Sequence, residues 1–354
     1  MIKTLQGSID FAESLRGKRA TFLLALSTTK TVEIEGITQA GIPELIHLTP
    51  TLDSEFLCTG EVRSIDNIAT TPKGVPTPAL LTRAVHLLRP FGTIELLNLG
   101  MATPPKLDYF TCHDFAITPS ERIDRGAQID ALGLFEQGVA FGKAYEAPDA
   151  YIILGESVPA GTTTASAMVE ALGYDAQAMF SSSFREAPNA IKEQTIAQAL
   201  KGIEGVEDLF ERVGAVADNM LLFNAGFILG SSGKSTKIVL AGGTQMAGLL
   251  LLVNSIVRYM GGKLESHNLA LCTTKWVAED SQSDIQGLLR LLDFPINAYY
   301  SDFDFALSDH PALKLYDEGE AKEGVGAGGA LMYGLLNGLS KEAITRQVEQ
   351  FLRP

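Results

Sequence analysis

Along the chain, short apolar runs alternate with longer stretches in which apolar residues recur at helical spacing. The runs that read as strands are TFLLAL (21–26), TIELLNL (93–99), AYIILG (150–155), KIVLAG (237–242), LALCTT (269–274) and INAYY (296–300). They show little polar–apolar alternation, which predicts strands covered on both faces, as in a parallel sheet. Between them, segments such as 78–89, 127–145, 191–213, 244–260 and 283–292 carry helical patterns. Thr77 followed by Pro78 supplies a cap and a first-turn proline, and Gly261-Gly262 closes a later helix. Strand, helix, strand in repetition predicts a three-layer α/β/α fold with a mostly parallel, doubly wound sheet and right-handed crossovers. Helical patterns around 328–337 and 340–352 follow the last strand. Together with the first residues they are expected to form a small helical annex, so that residues 18–327 are the α/β/α domain and 1–17 plus 328–354 the annex. No internal repeat, low-complexity tract or Pro/Gly-rich linker divides the chain.

Composition acts mainly by exclusion. At 354 residues, 46% hydrophobic and 20% charged, the chain is long and apolar enough to bury a large core without staples. Lys and Arg number 28 against 42 Asp and Glu, a net charge of −14. That balance argues against nucleic acid and anionic membranes as partners, because phosphate contacts need clustered cations. An anionic ligand must then be held by local devices such as helix N-termini and single lysines. Cys58, Cys112 and Cys272 are odd in number and form no C-x-x-C, so they read as reduced core thiols of a cytoplasmic protein. The five histidines form no H-x-x-x-H pair, and no metal site is expected. FLLAL (22–26) is too short for a signal peptide. AGLLLLVNSIV (247–257) is interrupted by Asn254 and followed by Arg258, so it is not expected to span a bilayer.

In open parallel sheets ligands bind beyond the carboxyl ends of the strands, and two strand-to-helix junctions look suited to that. YIILGESVPAGTTTASA (151–167) runs from a strand through Glu156 and a Pro-Ala-Gly turn into Gly161, Thr162, Thr163 and Thr164. Backbone N–H groups and hydroxyls at a helix start suit a phosphate; the same threonines could simply cap the helix. Glu156 stands at a strand end, where folding seldom needs a carboxylate. KIVLAGGTQMAG (237–248) places Gly242-Gly243 after a strand, which permits close approach of a ligand or equally close packing of helix on strand.

Two glycine-rich stretches resemble phosphate loops without being built as one. GSSGKST (230–236) has Ile228 where G-x-x-x-x-G-K-[ST] requires glycine, and it precedes a strand. KEGVGAGGALMYG (322–334) holds G-x-G-x-x-G at Gly324, Gly326 and Gly329, but a charged segment, LYDEGEAKEG, precedes it instead of a central strand, and too little chain follows. Its glycines are read instead as a tight turn that holds Glu323 forward and then opens a helix.

Taken together, GESVPAGTTTASA, AGGTQMAG and EGVGAGGA resemble segments of the nicotinate-nucleotide–dimethylbenzimidazole phosphoribosyltransferases. KGVPTPALLTRA (73–84) and PELIHLTPTLDSEFL (43–57) look more like the divergent archaeal and cyanobacterial-type branch of that family. The resemblance covers most of residues 70–335 in order. It implies transfer of the phosphoribosyl group of nicotinate mononucleotide to an aromatic lower-ligand base in cobamide synthesis, with neither cofactor nor metal, in a homodimer. It also implies Glu323 as catalytic base with Glu156 assisting. Gly161, Thr162, Thr163, Lys192, Gly242 and Gly243 would hold phosphate and nicotinate, and Pro76 and Thr77 would line the base pocket. Thr162 stands where the well-studied bacterial branch has Asn, and Thr244-Gln245 where it has Phe and an acid. The base accepted is left open between dimethylbenzimidazole, adenine and a phenol. A non-catalytic nucleotide-binding or sensor protein of the same fold is the alternative, against which the presence of both glutamates counts. A nicotinamide-dependent dehydrogenase would rest on the G-x-G-x-x-G alone.

Overall fold

The computed structural model describes residues 1–66, 68 and 70–353. Its centre is one eight-stranded sheet built from β1 (Ile2–Gln6), β2 (Ala20–Leu26), β3 (Thr93–Asn98), β4 (Thr111–Asp114), β5 (Tyr151–Ser157), β6 (Lys237–Ala241), β7 (Leu269–Thr274) and β8 (Asn297–Ser301). The strand order is β1-β8-β7-β6-β5-β2-β3-β4, and every pair is parallel except β1 with β8.

The central strands are covered on both faces, and their side chains divide between two cores by simple alternation. Leu23, Ala25, Ile152, Leu154, Leu240 and Leu271 belong to one core. Phe22, Leu24, Leu26, Ile153, Val239 and Cys272 belong to the other. Each fully buried Leu, Ile, Val or Phe side chain contributes about 1.5–3 kcal/mol of hydrophobic stabilisation. This two-sided burial is why the strands read as continuous apolar runs.

Helices Ala131–Ala144, Gly161–Ala171, Asn219–Ser231 and Thr244–Tyr259 contribute to the first core. Helices Thr49–Thr59, Ala79–Leu88, Ala327–Leu336 and Lys341–Phe351 contribute to the second. The segment 191–213, read as one helix, is two: Asn189–Lys201 and Leu209–Val216, the second capped by the Asp208 carboxylate on the Glu211 amide. Of the three cysteines expected in the core, Cys58 and Cys272 are buried, but Cys112 is exposed on the edge strand β4. The structure also differs at the amino end. Ile2–Gln6, expected within a helical annex, is an edge strand, and only Asp10–Glu13 beyond it is helical.

The order of the sheet fixes where a ligand can sit. From β2 the chain moves outward through β3 and β4; from β5 it moves the opposite way through β6, β7 and β8. The switch point therefore lies between β2 and β5, whose register pairs Ala25 with Glu156 and Leu26 with Ser157. Loops leaving neighbouring strands in opposite directions open a crevice at such a point.

Candidate active site

A pocket of about 930 Å³, partly open to solvent, occupies that crevice. Its lining includes Thr77, Glu156, Gly161, Gln245, Lys322 and Glu323, drawn from segments that are remote in sequence.

Glu156 is 6% exposed at the end of β5. Its Oε2 accepts the Val158 N–H at 3.0 Å. Burial pushes its pKa up to about 8, with the charges of Glu323 and Asp218 adding to the rise. Glu323 is held differently, with both carboxylate oxygens engaged. Oε1 accepts the Gly328 N–H at 3.1 Å and the Gly324 N–H at 3.3 Å. Oε2 accepts the Thr274 N–H at 2.8 Å and the Thr273 hydroxyl at 3.2 Å. These donors favour the carboxylate, but burial outweighs them and places the pKa at about 7. A carboxyl of that strength can take up and release a proton near neutral pH.

The glycines of the terminal turn explain how Glu323 arrives there. Gly324 and Gly326 have φ of +149° and +64°, and Val325 between them lies at +52°, a rare conformation for a β-branched residue. A Cβ on Gly328 would stand 2.3 Å from the Thr273 carbonyl carbon, and one on Gly329 would stand 2.5 Å from the Ala241 Cβ. Gly329 of the G-x-G-x-x-G and Gly328 outside it thus let the helix lie directly on β6 and β7. They pack a helix on a sheet.

Asp53, which the sequence did not single out, is a third carboxyl of the pocket and is itself buried, 3% exposed. Its Oδ1 accepts the Thr77 hydroxyl at 2.6 Å and its Oδ2 the Ser157 hydroxyl at 2.7 Å. Burial raises its pKa to about 6 against those two hydrogen bonds. Thr77 also accepts the Ala79 N–H, so it caps the Ala79–Leu88 helix while fixing this carboxyl. Pro76 lines the same wall, its carbonyl accepting the Tyr316 hydroxyl.

Of the anion-binding candidates, Gly161, Thr162 and Gly243 line the pocket. Lys192 stands just behind, its Nζ donating to the Ser181 carbonyl at 3.0 Å and to the Thr162 hydroxyl at 3.3 Å. Thr163 is fully buried, away from the lining, and its hydroxyl has no hydrogen-bond partner among the described residues. Gly242 lies beneath Met246, where a Cβ would come within 2.7 Å of Met246 Cγ and 3.8 Å of Glu156 Oε1. The loop Ser181–Ser183 joins the lining without having given any signal in the sequence beyond its run of serines. Among the described residues, no group of His, Cys, Asp and Glu is arranged to hold a metal ion, and no helix is long and apolar enough to cross a membrane.

These features define a doubly wound α/β protein with an acidic pocket at the switch point. Its fold is that of nicotinate-nucleotide-dimethylbenzimidazole phosphoribosyltransferase from Thermus thermophilus, with a TM-score of 0.60 over 94% of this chain and 83% of that one, at 16% identity. A second structure, of CobT from the same organism, gives 0.59 with 84% of its chain covered. No family model matches the sequence. Among curated proteins, the chain is 36% identical over 352 residues to a UPF0284 protein of Sulfurisphaera tokodaii, covering 99% of this chain and 96% of that one. A UPF0284 protein of Saccharolobus solfataricus is 35% identical over 353 residues, with the same coverage. The chain belongs to the UPF0284 family.

Proposed function

We propose that this protein is a phosphoribosyltransferase that moves the phosphoribosyl group of nicotinate mononucleotide to a ring nitrogen of an aromatic lower-ligand base in cobamide synthesis. The observation that carries the reading is the meeting of Glu323 and Glu156 in one pocket, each with a pKa raised toward neutrality. A ring nitrogen of the base attacks C1′ of the ribose as the C1′–N bond to nicotinate breaks. The bonding pair returns to the pyridinium nitrogen, which leaves neutral. The attacking base is then cationic, and Glu323 takes the proton from its second nitrogen. Such help is worth roughly 10²–10⁴-fold, while positioning supplies much of the rest. Glu156, at the end of β5, assists by facing the ribose as positive charge develops there. Gly161, Thr162 and Lys192 hold the phosphate, Gly243 lets the nucleotide approach the main chain, and Pro76 and Thr77 bound the base.

The proposal includes a cytoplasmic homodimer and a ligand-binding unit, 18–327, against whose sheet the two chain ends also pack. Every pocket-lining residue falls inside that unit. One incubation with nicotinate mononucleotide and a panel of bases, read by mass spectrometry, tests the reaction. An α-ribotide with stoichiometric nicotinate supports it. Binding of the nucleotide without nicotinate release from any base overturns it in favour of a sensor.

A further inference from the structure

Two acids of the Thr49–Thr59 helix, Asp53 and Glu55, are both buried but are treated differently by the fold. Each oxygen of Glu55 accepts two donors. Oε1 accepts the Lys106 N–H at 2.9 Å and the Ser64 hydroxyl at 2.7 Å. Oε2 accepts the N–H groups of Arg63 at 2.8 Å and Ser64 at 2.9 Å. Burial pushes the Glu55 pKa up, but these donors more than offset it and hold the carboxyl below its ordinary value. Asp53 accepts one donor per oxygen, the hydroxyls of Thr77 and Ser157, and no lysine or arginine pairs with it among the described residues. With a pKa of about 6 it is mostly ionised at neutral pH. A carboxylate can take about four hydrogen bonds, so two acceptor places stand open on a buried charge. Asp53 lines the pocket and Glu55 does not. The occupant of the pocket is what can supply the missing donors.

Asp53 and Glu323 stand on one wall. The helices Thr49–Thr59, Ala79–Leu88 and Ala327–Leu336 pack in the core on one face of the sheet, and the Glu323 turn leads into the last of them. That wall is tied together: Thr77 holds Asp53 and caps the second helix, whose Thr82 hydroxyl donates to the Val325 carbonyl at 2.8 Å. Thr162 and Lys192, the candidates for the phosphate, belong to helices of the opposite face. No Phe, Tyr, Trp or His occurs among the described lining residues, so ring stacking cannot sort one aromatic ligand from another there. Hydrogen bonding can.

We propose that Asp53 is the specificity residue for the substituent of the acceptor base, taking an N–H or O–H donor from the ring, so that the pocket prefers amino- or hydroxy-substituted bases to alkylated ones. A base set against this wall meets Glu323 with a ring nitrogen and Asp53 with its substituted edge. A methyl group at that edge would strip water from the carboxylate and return no donor. Calling the ligand an acceptor base rests on the phosphoribosyltransferase reading of the same pocket; the open acceptor places of Asp53 do not.

The test gives the full chain nicotinate mononucleotide and an equimolar mixture of 5-hydroxy-, 5-methyl- and 5-methoxybenzimidazole, in wild type, Asp53→Asn and Asp53→Leu, with products read by mass spectrometry. Hydroxyl and methyl are close in size and differ in the donor; methoxy keeps the oxygen and loses the donor. Wild type is expected to favour the hydroxy base over each of the others by at least about tenfold. Asp53→Asn keeps the shape but offers a neutral acceptor, and should bring that ratio below about threefold; Asp53→Leu should reverse it. Calorimetric affinity for nicotinate mononucleotide reports that each variant is folded, and should stay within about threefold of wild type. A wild-type ratio near one overturns the proposal, and so does a ratio that neither variant changes. A carboxylate that holds ribose hydroxyls instead predicts a raised KM for the nucleotide with every base and an untouched ratio, which also overturns it. If no base is turned over, titrating the three bases into the protein with nicotinate mononucleotide present reads the same preference. A hydroxy preference in binding that Asp53→Leu abolishes would keep the assignment and remove the reaction. Turnover indifferent to the substituent would keep the reaction and remove the assignment.

Discussion

The main-chain amide of Val325 donates to the carbonyl of Glu156 at 2.8 Å. That bond ties the end of β5 to the terminal turn, and so joins the two segments that bring Glu156 and Glu323 into one pocket. Their carboxyls are coupled by backbone geometry as well as by charge, since Glu323 raises the pKa of Glu156.

Replacing Glu323 by Gln removes the proton acceptor. Turnover should fall by roughly 10²–10⁴-fold with nucleotide affinity retained. In wild type the acid limb of the kcat/KM profile should lie near pH 7, following the raised pKa, and the variant should lack it. Both oxygens of Glu323 accept N–H donors, so the new amide must turn one NH₂ against a backbone N–H, and some thermal stability should be lost as well. Full turnover in the variant would remove Glu323 as the base.

For Glu156→Gln the readout is stability against pH. The folded pKa of Glu156, about 8, lies above its ordinary value of 4.5, so the native state binds the extra proton. Its contribution to stability is complete below about pH 4.5 and is lost as pH rises through 8. Glutamine does not ionise, and its NH₂ can occupy the Oε1 side, away from the Val158 amide. The variant should match wild type at pH 5 and exceed it at pH 8, by on the order of 2 kcal/mol. Denaturant unfolding at the two pH values checks this, and a parallel loss at both would show that Glu156 serves packing instead.

Thr77 fixes Asp53 through one hydroxyl. Thr77→Val keeps the shape of the wall and deletes that hydrogen bond, which should raise the Asp53 pKa beyond 6. The ranking of products from an equimolar mixture of bases should then change, while nucleotide affinity stays within about threefold. An unchanged ranking would place the base elsewhere.

Gly328→Ala tests the packing reading of the terminal glycines. With a Cβ 2.3 Å from main-chain carbon of β7, the helix or the strand must shift, and a loss on the order of 3 kcal/mol is expected. The midpoint of urea unfolding measures it. A dinucleotide loop predicts instead an effect on NAD binding with little change in stability.

Much of this architecture was legible because the central strands are covered on both faces, and a strand such as Tyr151–Ser157 has no wet side to hide its apolar run. The edges were not legible. IKTLQ and TCHD are short, polar and partly exposed, so β1 and β4 carry no such signal. The Asn219–Ser231 helix is buried on nearly every side, which erases the period that marks a helix at a surface. Glu156 could be picked out as a lone carboxylate at a strand end, and Glu323 because a glycine turn follows it directly. Asp53 could not, since it sits inside the Thr49–Thr59 helix, where an acid ordinarily reads as a solvated face. Lys322 was hidden among the charges of DEGEAKEG; only the fold shows that it turns inward beside Asp280.

The antiparallel pairing of β1 with β8 has a consequence for how the molecule comes into being. A chain leaves the ribosome amino end first, so β1 must wait, unpaired, until β8 has emerged. The turn that carries Glu323 emerges later still. Through most of synthesis the nascent chain therefore has an open sheet margin and a cleft without its proposed base, and a product cut short before residue 320 would lack the wall on which the cleft closes. Contacts so distant in sequence make for slow completion, and they leave the growing polypeptide exposed to pairing with other chains until its last strand is in place.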